Sequence, residues 1–269
     1  MTTGRFAADW LTLREPVDHA ARSEPLLDRL RDWCRDQESL HIVDLGAGAG
    51  SNLRYLAPRL PVQQHWTLVD HDPDLLALAV APTGTAPATL RTVCADLEQW
   101  ALADAEPELV TASALLDLVS GRWLDRLVQD CARHRAAALM ALSYDGEVSW
   151  TVSDPQDALV QAAVNAHQGR DKGLGAALGP LASAEAAKRF RAAGYRVWTD
   201  PSPWHLDAAA LALAEPLIAG WVEAAVEQVP EACVGIRDWG ARRLGDLRSG
   251  RTQLRVGHQD LLALPGPDR

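Results

Sequence analysis

The chain has 269 residues, 48% hydrophobic and 23% charged, which supports one sizeable core and excludes a disordered or fibrous protein. Its formal net charge of -10 argues against a general DNA or RNA binder, which presents a basic stripe to phosphate. Cys34, Cys94, Cys131 and Cys233 form no C-x-x-C pair, so neither a zinc site nor a disulfide framework is expected.

An amphipathic helix is predicted over 25–38, with Leu26, Leu27, Leu30 and Trp33 on one side. The short run 41–45, β-branched at Ile42 and Val43, reads as a buried strand. It ends in Gly46, Gly48 and Gly50, and 51–60 is helical. A second strand covers 65–69, a helix follows around 74–80, and 82–87 is a turn-rich link. Strands over 89–94, 108–112 and 136–144, with a helix over 121–134, complete this half. Apolar strands alternating with helices predict an α/β fold, a mostly parallel sheet with helices on both faces.

After Asp145 the rhythm changes. A helix over 154–168 leads to a glycine-rich loop over 169–180, then to a helix over 183–193 that Ser183 would cap. A sixth strand covers 195–199. One or two helices interrupted at Pro216 fill 211–228, and the seventh strand is either 251–256 or 261–264. No internal repeat or long linker divides the chain. It reads as one domain, 1–269, with its core at about 25–150, 181–205 and 251–265 and a partly helical cap at about 151–180 and 206–250. Arg237, Arg242, Arg243, Arg248, Arg251 and Arg255, interrupted by Asp238 and Asp246, read as a solvated face.

The start MTTGRFAADW places acid and Trp where an apolar leader would stand, so a cytoplasmic location is expected. Ala-rich runs such as 207–214 are broken by charge or proline, and no membrane span is expected. Ten tryptophans against two phenylalanines and three tyrosines is unusual. Trp204 and Trp221 could wall a ligand pocket, or fill an Ala-rich core that lacks bulk.

The chemistry concentrates in Asp44-Leu45-Gly46-Ala47-Gly48-Ala49-Gly50. Alternate glycines permit a tight turn and close backbone approach to a ligand. Alone this run is weak, because several nucleotide-derived cofactors use it. Asp44 at the strand end would repel a pyrophosphate and suits a cationic ligand end. Ser51 stands where the third glycine of G-x-G-x-x-G would be. Asp70 and Asp72 end the second strand, where a carboxylate can hold ribose hydroxyls. Asp96, with Leu97 beside it, follows the third strand, where an adenine amine can be received.

In these motifs the sequence resembles the class I S-adenosylmethionine-dependent methyltransferases, over about 25–145. The resemblance implies a Rossmann-like, seven-stranded fold and S-adenosyl-L-methionine as cofactor. Asp44, Gly46, Gly48 and Gly50 would bind the methionyl part. Asp72 would hold the ribose, with Asp70 in reserve, and Asp96 and Leu97 would meet the adenine. The stretch from Ser113 through Leu118 would line the pocket. The alternatives are an NAD-dependent oxidoreductase and a cofactor-binding protein without catalysis.

For the acceptor the residues say less. There is no Asn-Pro-Pro-aromatic signature and no Pro-Cys nucleophile, so DNA is not expected, and no metal cluster stands out. Asp117 lies after the fourth strand, and Tyr144 and Asp145 at the end of the fifth. His167, with Asp171 and Lys172 in the loop beyond it, offers a general base or a closing loop. The expected partner is a small-molecule acceptor, with the chain a monomer or homodimer.

Overall fold

The computed structural model describes residues 8–80, 88–102, 105–171 and 173–266. Five strands run parallel: β1 (Ser39–Leu45), β2 (Gln63–Asp70), β3 (Thr89–Cys94), β4 (Leu109–Ser113) and β5 (Ala137–Trp150). β6 (Arg196–Pro201), β7 (Trp204–Leu206) and β8 (Leu254–Leu264) follow, and β8 is antiparallel to β5, β6 and β7. The order is β3-β2-β1-β4-β5-β8-β6, with β7 paired to β8 off this path. The chain thus runs outward from β1 and then returns to its other side as β4. That reversal lies at β1 and β4, and it is beyond the carboxyl ends of strands at such a switch point that open α/β sheets bind ligands.

The α/β, Rossmann-like architecture agrees with the sequence. The described strand count is eight, the extra one being the three-residue β7. The two stretches offered for the last strand are one continuous β8, which pairs with β5 on one side and with β6 and β7 on the other. β5 runs six residues beyond Tyr144, with register shifts between Met140 and Ser143 and between Tyr144 and Val148.

The helices are α1 (Ala8–Ala21), α2 (Glu24–Cys34), α3 (Ser51–Leu56), α4 (Pro73–Ala79), α5 (Gly121–His134), α6 (Asp157–Gln168), α7 (Ala182–Ala192), α8 (Leu211–Gln228) and α9 (Cys233–Arg248). Alternation along β1 sends Leu40 and Ile42 to one face and Val43 and Leu45 to the other. The first pair joins Leu27, Leu30 and Leu56 from α2 and α3, and the second joins Leu124, Leu127 and Phe190 from α5 and α7. A third cluster gathers Tyr144, Val160, Trp204, Ile218, Trp221 and Trp239, between the extended ends of β5 and β8 and helices α6, α8 and α9.

Three local expectations change. α8 passes unbroken through Pro216. The proline removes one bond to the Ala212 carbonyl, and both residues are exposed, so water can replace it. The segment 208–228 is long and apolar enough to cross a membrane by length and composition, yet it packs on α6 and α9. Ser183 is buried inside α7 rather than capping it. Arg243 is not solvated: it is 1% exposed, paired with Asp157, bonded to the Val152 carbonyl at 2.8 Å, and 4.4 Å from the Trp150 ring centroid.

Candidate active site

The loop between β1 and α3 turns on three left-handed glycines, Gly46 (φ 63°), Gly48 (φ 50°) and Gly50 (φ 82°). At Gly50 a Cβ would stand 2.9 Å from that of Ala79, so backbone and packing both require glycine there. The loop is stitched to β2: Ala47 N–H donates to the Val69 carbonyl at 3.1 Å, and Gly48 N–H to Asp70 Oδ2 at 2.8 Å.

Asp44 is 1% exposed. Its Oδ1 accepts from Asn52 Nδ2 at 2.8 Å, while its buried Oδ2 has no hydrogen-bond partner. Burial pushes its carboxyl up to about 7, with Asp70 adding to the rise and the Asn52 bond and Arg22 opposing it. An unpaired buried carboxylate oxygen costs free energy until something donates to it. An ammonium group would supply both the donor and the charge, so this oxygen fits the amino end of a methionyl tail.

The other cofactor candidates divide by role. Asp72 is the N-cap of α4, accepting from Asp74 and Leu75 N–H. Asp70 ends β2, and its Oδ1 accepts from Asp72 N–H at 2.9 Å. Asp72 thus performs the capping that any aspartate at such a position can perform, and Asp70 braces the glycine loop. Asp96 is exposed and turns the chain by accepting from Glu98 N–H at 2.9 Å. Leu97 packs against the core, and its carbonyl accepts from Trp123 Nε1 at 2.9 Å. Ser113 closes β4, half-buried, and is followed by Ala114 in a left-handed conformation (φ 53°).

Helix α1, which the sequence reading missed, lies over this loop. A Cβ on Gly48 would meet the Leu11 side chain at 3.4 Å. His19 Nε2 lies 3.1 Å from both Ser51 O and Oγ, and Arg54 pairs with Glu15 at 2.7 Å. Arg22, just past α1, donates to Asn52 Oδ1 at 2.8 Å.

Of the acceptor-side candidates, Asp117, Tyr144 and Asp145 come together and His167 does not. Asp117 is buried in the short turn Leu116–Leu118. Burial, with Asp145, Glu147 and Asp117 adding to it, holds the Tyr144 phenol well above its usual range. Tyr144 donates to Asn165 Oδ1 at 2.8 Å, so its chemistry is that of a donor and an aromatic face, not of a base. Asp145 lies within β5, not in a turn after it; its Oδ1 accepts from Glu147 N–H at 3.0 Å, and Gly257 opposite leaves room for its carboxylate.

His167 sits two residues beyond Asn165 on α6, about 200° around the helix, and faces Glu227 of α8 at 3.3 Å. That turn directs it away from Tyr144 and into a contact between α6 and α8. Asp171 accepts from Gly173 N–H at 2.7 Å, and Lys172 lies outside the described residues. Trp204 and Trp221 share the third cluster, with Trp204 Nε1 donating to Asp18 Oδ1 at 3.0 Å.

The structure adds His258 to this side, opposite Tyr144 in the β5–β8 register. Its ring centroid is 4.8 Å from Trp204 and 6.2 Å from Tyr144. Burial first, then Arg14, push the imidazole down to about 3, so it is neutral. Leu142, left-handed at φ 54°, donates its N–H to Asp260 Oδ1 at 2.7 Å, and the next residue, Ser143, carries a buried hydroxyl with no hydrogen-bond partner. Arg22, Asn52, His258 and Asp260 have no local sequence signal, because each acquires its neighbours from a distant segment. Among the described residues no group of three or more His, Cys, Asp or Glu side chains could hold a metal ion.

Residues 42–138 match the methyltransferase domain family. No curated protein sequence matches the chain. Among solved structures, the YcgJ protein of Bacillus subtilis is 15% identical with a TM-score of 0.54, covering 91% of this chain and 100% of its own. The cyclopropane synthase MmaA2 of Mycobacterium tuberculosis is 13% identical with a TM-score of 0.52, covering 96% and 94% respectively. At such identities the likeness speaks for a shared fold.

Proposed function

We propose that this chain, a Rossmann-like protein whose residues 42–138 match the methyltransferase domain family, binds S-adenosyl-L-methionine and transfers its methyl group to a small-molecule acceptor. The observation that carries the reading is Asp44 Oδ2, buried and unpartnered beside the three-glycine turn. When bound, the cofactor supplies an electrophilic methyl on a sulfonium.

The protein's own residues bind and orient. Asp44 receives the amino group, and Gly46, Gly48 and Gly50 let the backbone approach the methionyl chain. Asp70 and Asp72 stand at the ribose position, with Asp96 and Leu97 at the base. In-line displacement needs positioning and exclusion of water more than a strong base. Tyr144 and the neutral His258 offer an aromatic surface at the end of the sheet, and the Ser143 hydroxyl offers a polar contact. Asp117 or Asp145 is the group to accept a proton where the acceptor must lose one. Support for a small acceptor comes from helices α6, α8 and α9, which build out over this end of the sheet, and from the net charge of -10.

Calorimetric titration with S-adenosylhomocysteine tests the reading. One ligand should bind per chain, and Asp44→Ala should weaken binding by about tenfold or more. Preference of the wild type for NAD, or unchanged affinity in Asp44→Ala, would overturn it.

A further inference from the structure

Arg22 is 7% exposed, its guanidinium lies 4.6 Å from the Tyr55 ring centroid, and its Nε is 3.6 Å from Asp260 Oδ2. From that fixed position Nη1 donates to Asn52 Oδ1 at 2.8 Å. Asn52, itself 4% exposed, turns its other end inward: Nδ2 donates to Asp44 Oδ1 at 2.8 Å and to Thr111 Oγ1 at 3.0 Å. Thr111 Oγ1 in turn donates to the Leu139 carbonyl at 2.9 Å. We infer that Arg22 is a positioning residue for cofactor recognition, acting through Asn52 to fix Asp44 against the amino group of the methionyl tail.

The inference rests on the cofactor reading above and concerns how recognition is set up. An amide side chain can present oxygen or nitrogen to a given neighbour, so its orientation has to be decided by something that cannot reverse. A guanidinium is such a group, because it donates only and stays charged. Arg22 therefore dictates that Asn52 offers its NH2 to Asp44. That bond occupies Oδ1 and leaves Oδ2 as the acceptor for a ligand.

Charge works in the same direction. Asp70 raises the carboxyl of Asp44, whereas Arg22, from the α1–α2 junction, favours its ionised form. The neutral partners are Asn52 from α3 and Thr111 from β4. The same guanidinium faces Asp260, whose oxygens hold Ser23 N–H at 3.0 Å and Leu142 N–H at 2.7 Å. One side chain thus joins the amino-group site to the backbone beside Ser143.

The test compares two ligands that share adenosine and a thioether but differ in the amino-acid tail: S-adenosylhomocysteine and 5′-methylthioadenosine. In Arg22→Met at neutral pH, affinity for the first should fall about tenfold or more, while affinity for the second stays within about twofold. The first affinity should also need a higher pH to reach its plateau, because a cation that favours ionised Asp44 is gone. Asn52→Asp keeps a partner for Arg22 but turns an acceptor toward Asp44, and should show the same selective loss. Parallel loss of both ligands in these variants, or no loss of either, would overturn the inference while leaving the cofactor reading intact. Wild-type protein that binds neither ligand overturns the cofactor reading and this inference with it.

Discussion

The two sides of the candidate site are built on different physics. On the β1 side, buried polar groups are linked in a directed chain from Arg22 through Asn52 to Asp44, and one carboxylate oxygen is left over. On the β5–β8 side, rings pack on rings: Tyr144, Trp204 and His258 share contacts, and Tyr144 and His258 are held in their neutral forms. The first arrangement suits a charged ligand end of fixed chemistry. The second suits an acceptor recognised by shape and by a few polar contacts. Asp260 belongs to both, since it faces Arg22 and holds the backbone at Leu142.

The largest expected effect therefore lies at the junction. Asp260→Ala leaves Arg22 without its carboxylate and two backbone N–H groups unpaired, and should destabilise the fold by about 3–5 kcal/mol in chemical denaturation. A cost below about 1 kcal/mol would mean that the sides are not coupled there.

A smaller effect should separate the β1 side from helices α6 and α9. Arg243→Met breaks the pairing with Asp157 under Trp150 and should cost about 2 kcal/mol. Affinity for S-adenosylhomocysteine should stay within about twofold of wild type, because these contacts lie beyond the β5–β8 bulge. A tenfold loss of affinity would show the contrast between the regions to be false.

A third effect is the pH dependence that Asp44 imposes on the ligand-free protein. Its folded value of about 7 stands above the ordinary 3.8, so the folded state holds the proton more tightly than the unfolded one. The stability this contributes is complete below about pH 4 and is lost as pH rises to about 7. Asp44→Asn should remove the slope, so that the stability difference between variant and wild type changes progressively across that window. A difference that does not change with pH would place Asp44 in a more polar setting.

By itself the sequence determined the parallel half of the sheet. Apolar runs at 41–45, 65–69 and 89–94, each ending in acid or glycine, carry enough local signal to place Asp44, Asp70, Asp72 and Asp96 at strand ends. Gly46, Gly48 and Gly50 were legible for the same reason: a turn is a property of adjacent residues. Tertiary structure alone decided the rest. α1 was invisible because its value lies in what it covers, Gly48 and Ser51, and its pattern includes Pro16. Arg243 read as solvated because only the packing of α9 on α6 brings it to Asp157. His167 read as a base and His258 went unread because a histidine's role is set by which way its helix or strand turns it. The same holds for Asp44: its position was local, but its free oxygen is the work of Asn52 and Arg22. Strand ends follow from short-range periodicity, whereas the partner of a buried charge is settled by long-range packing.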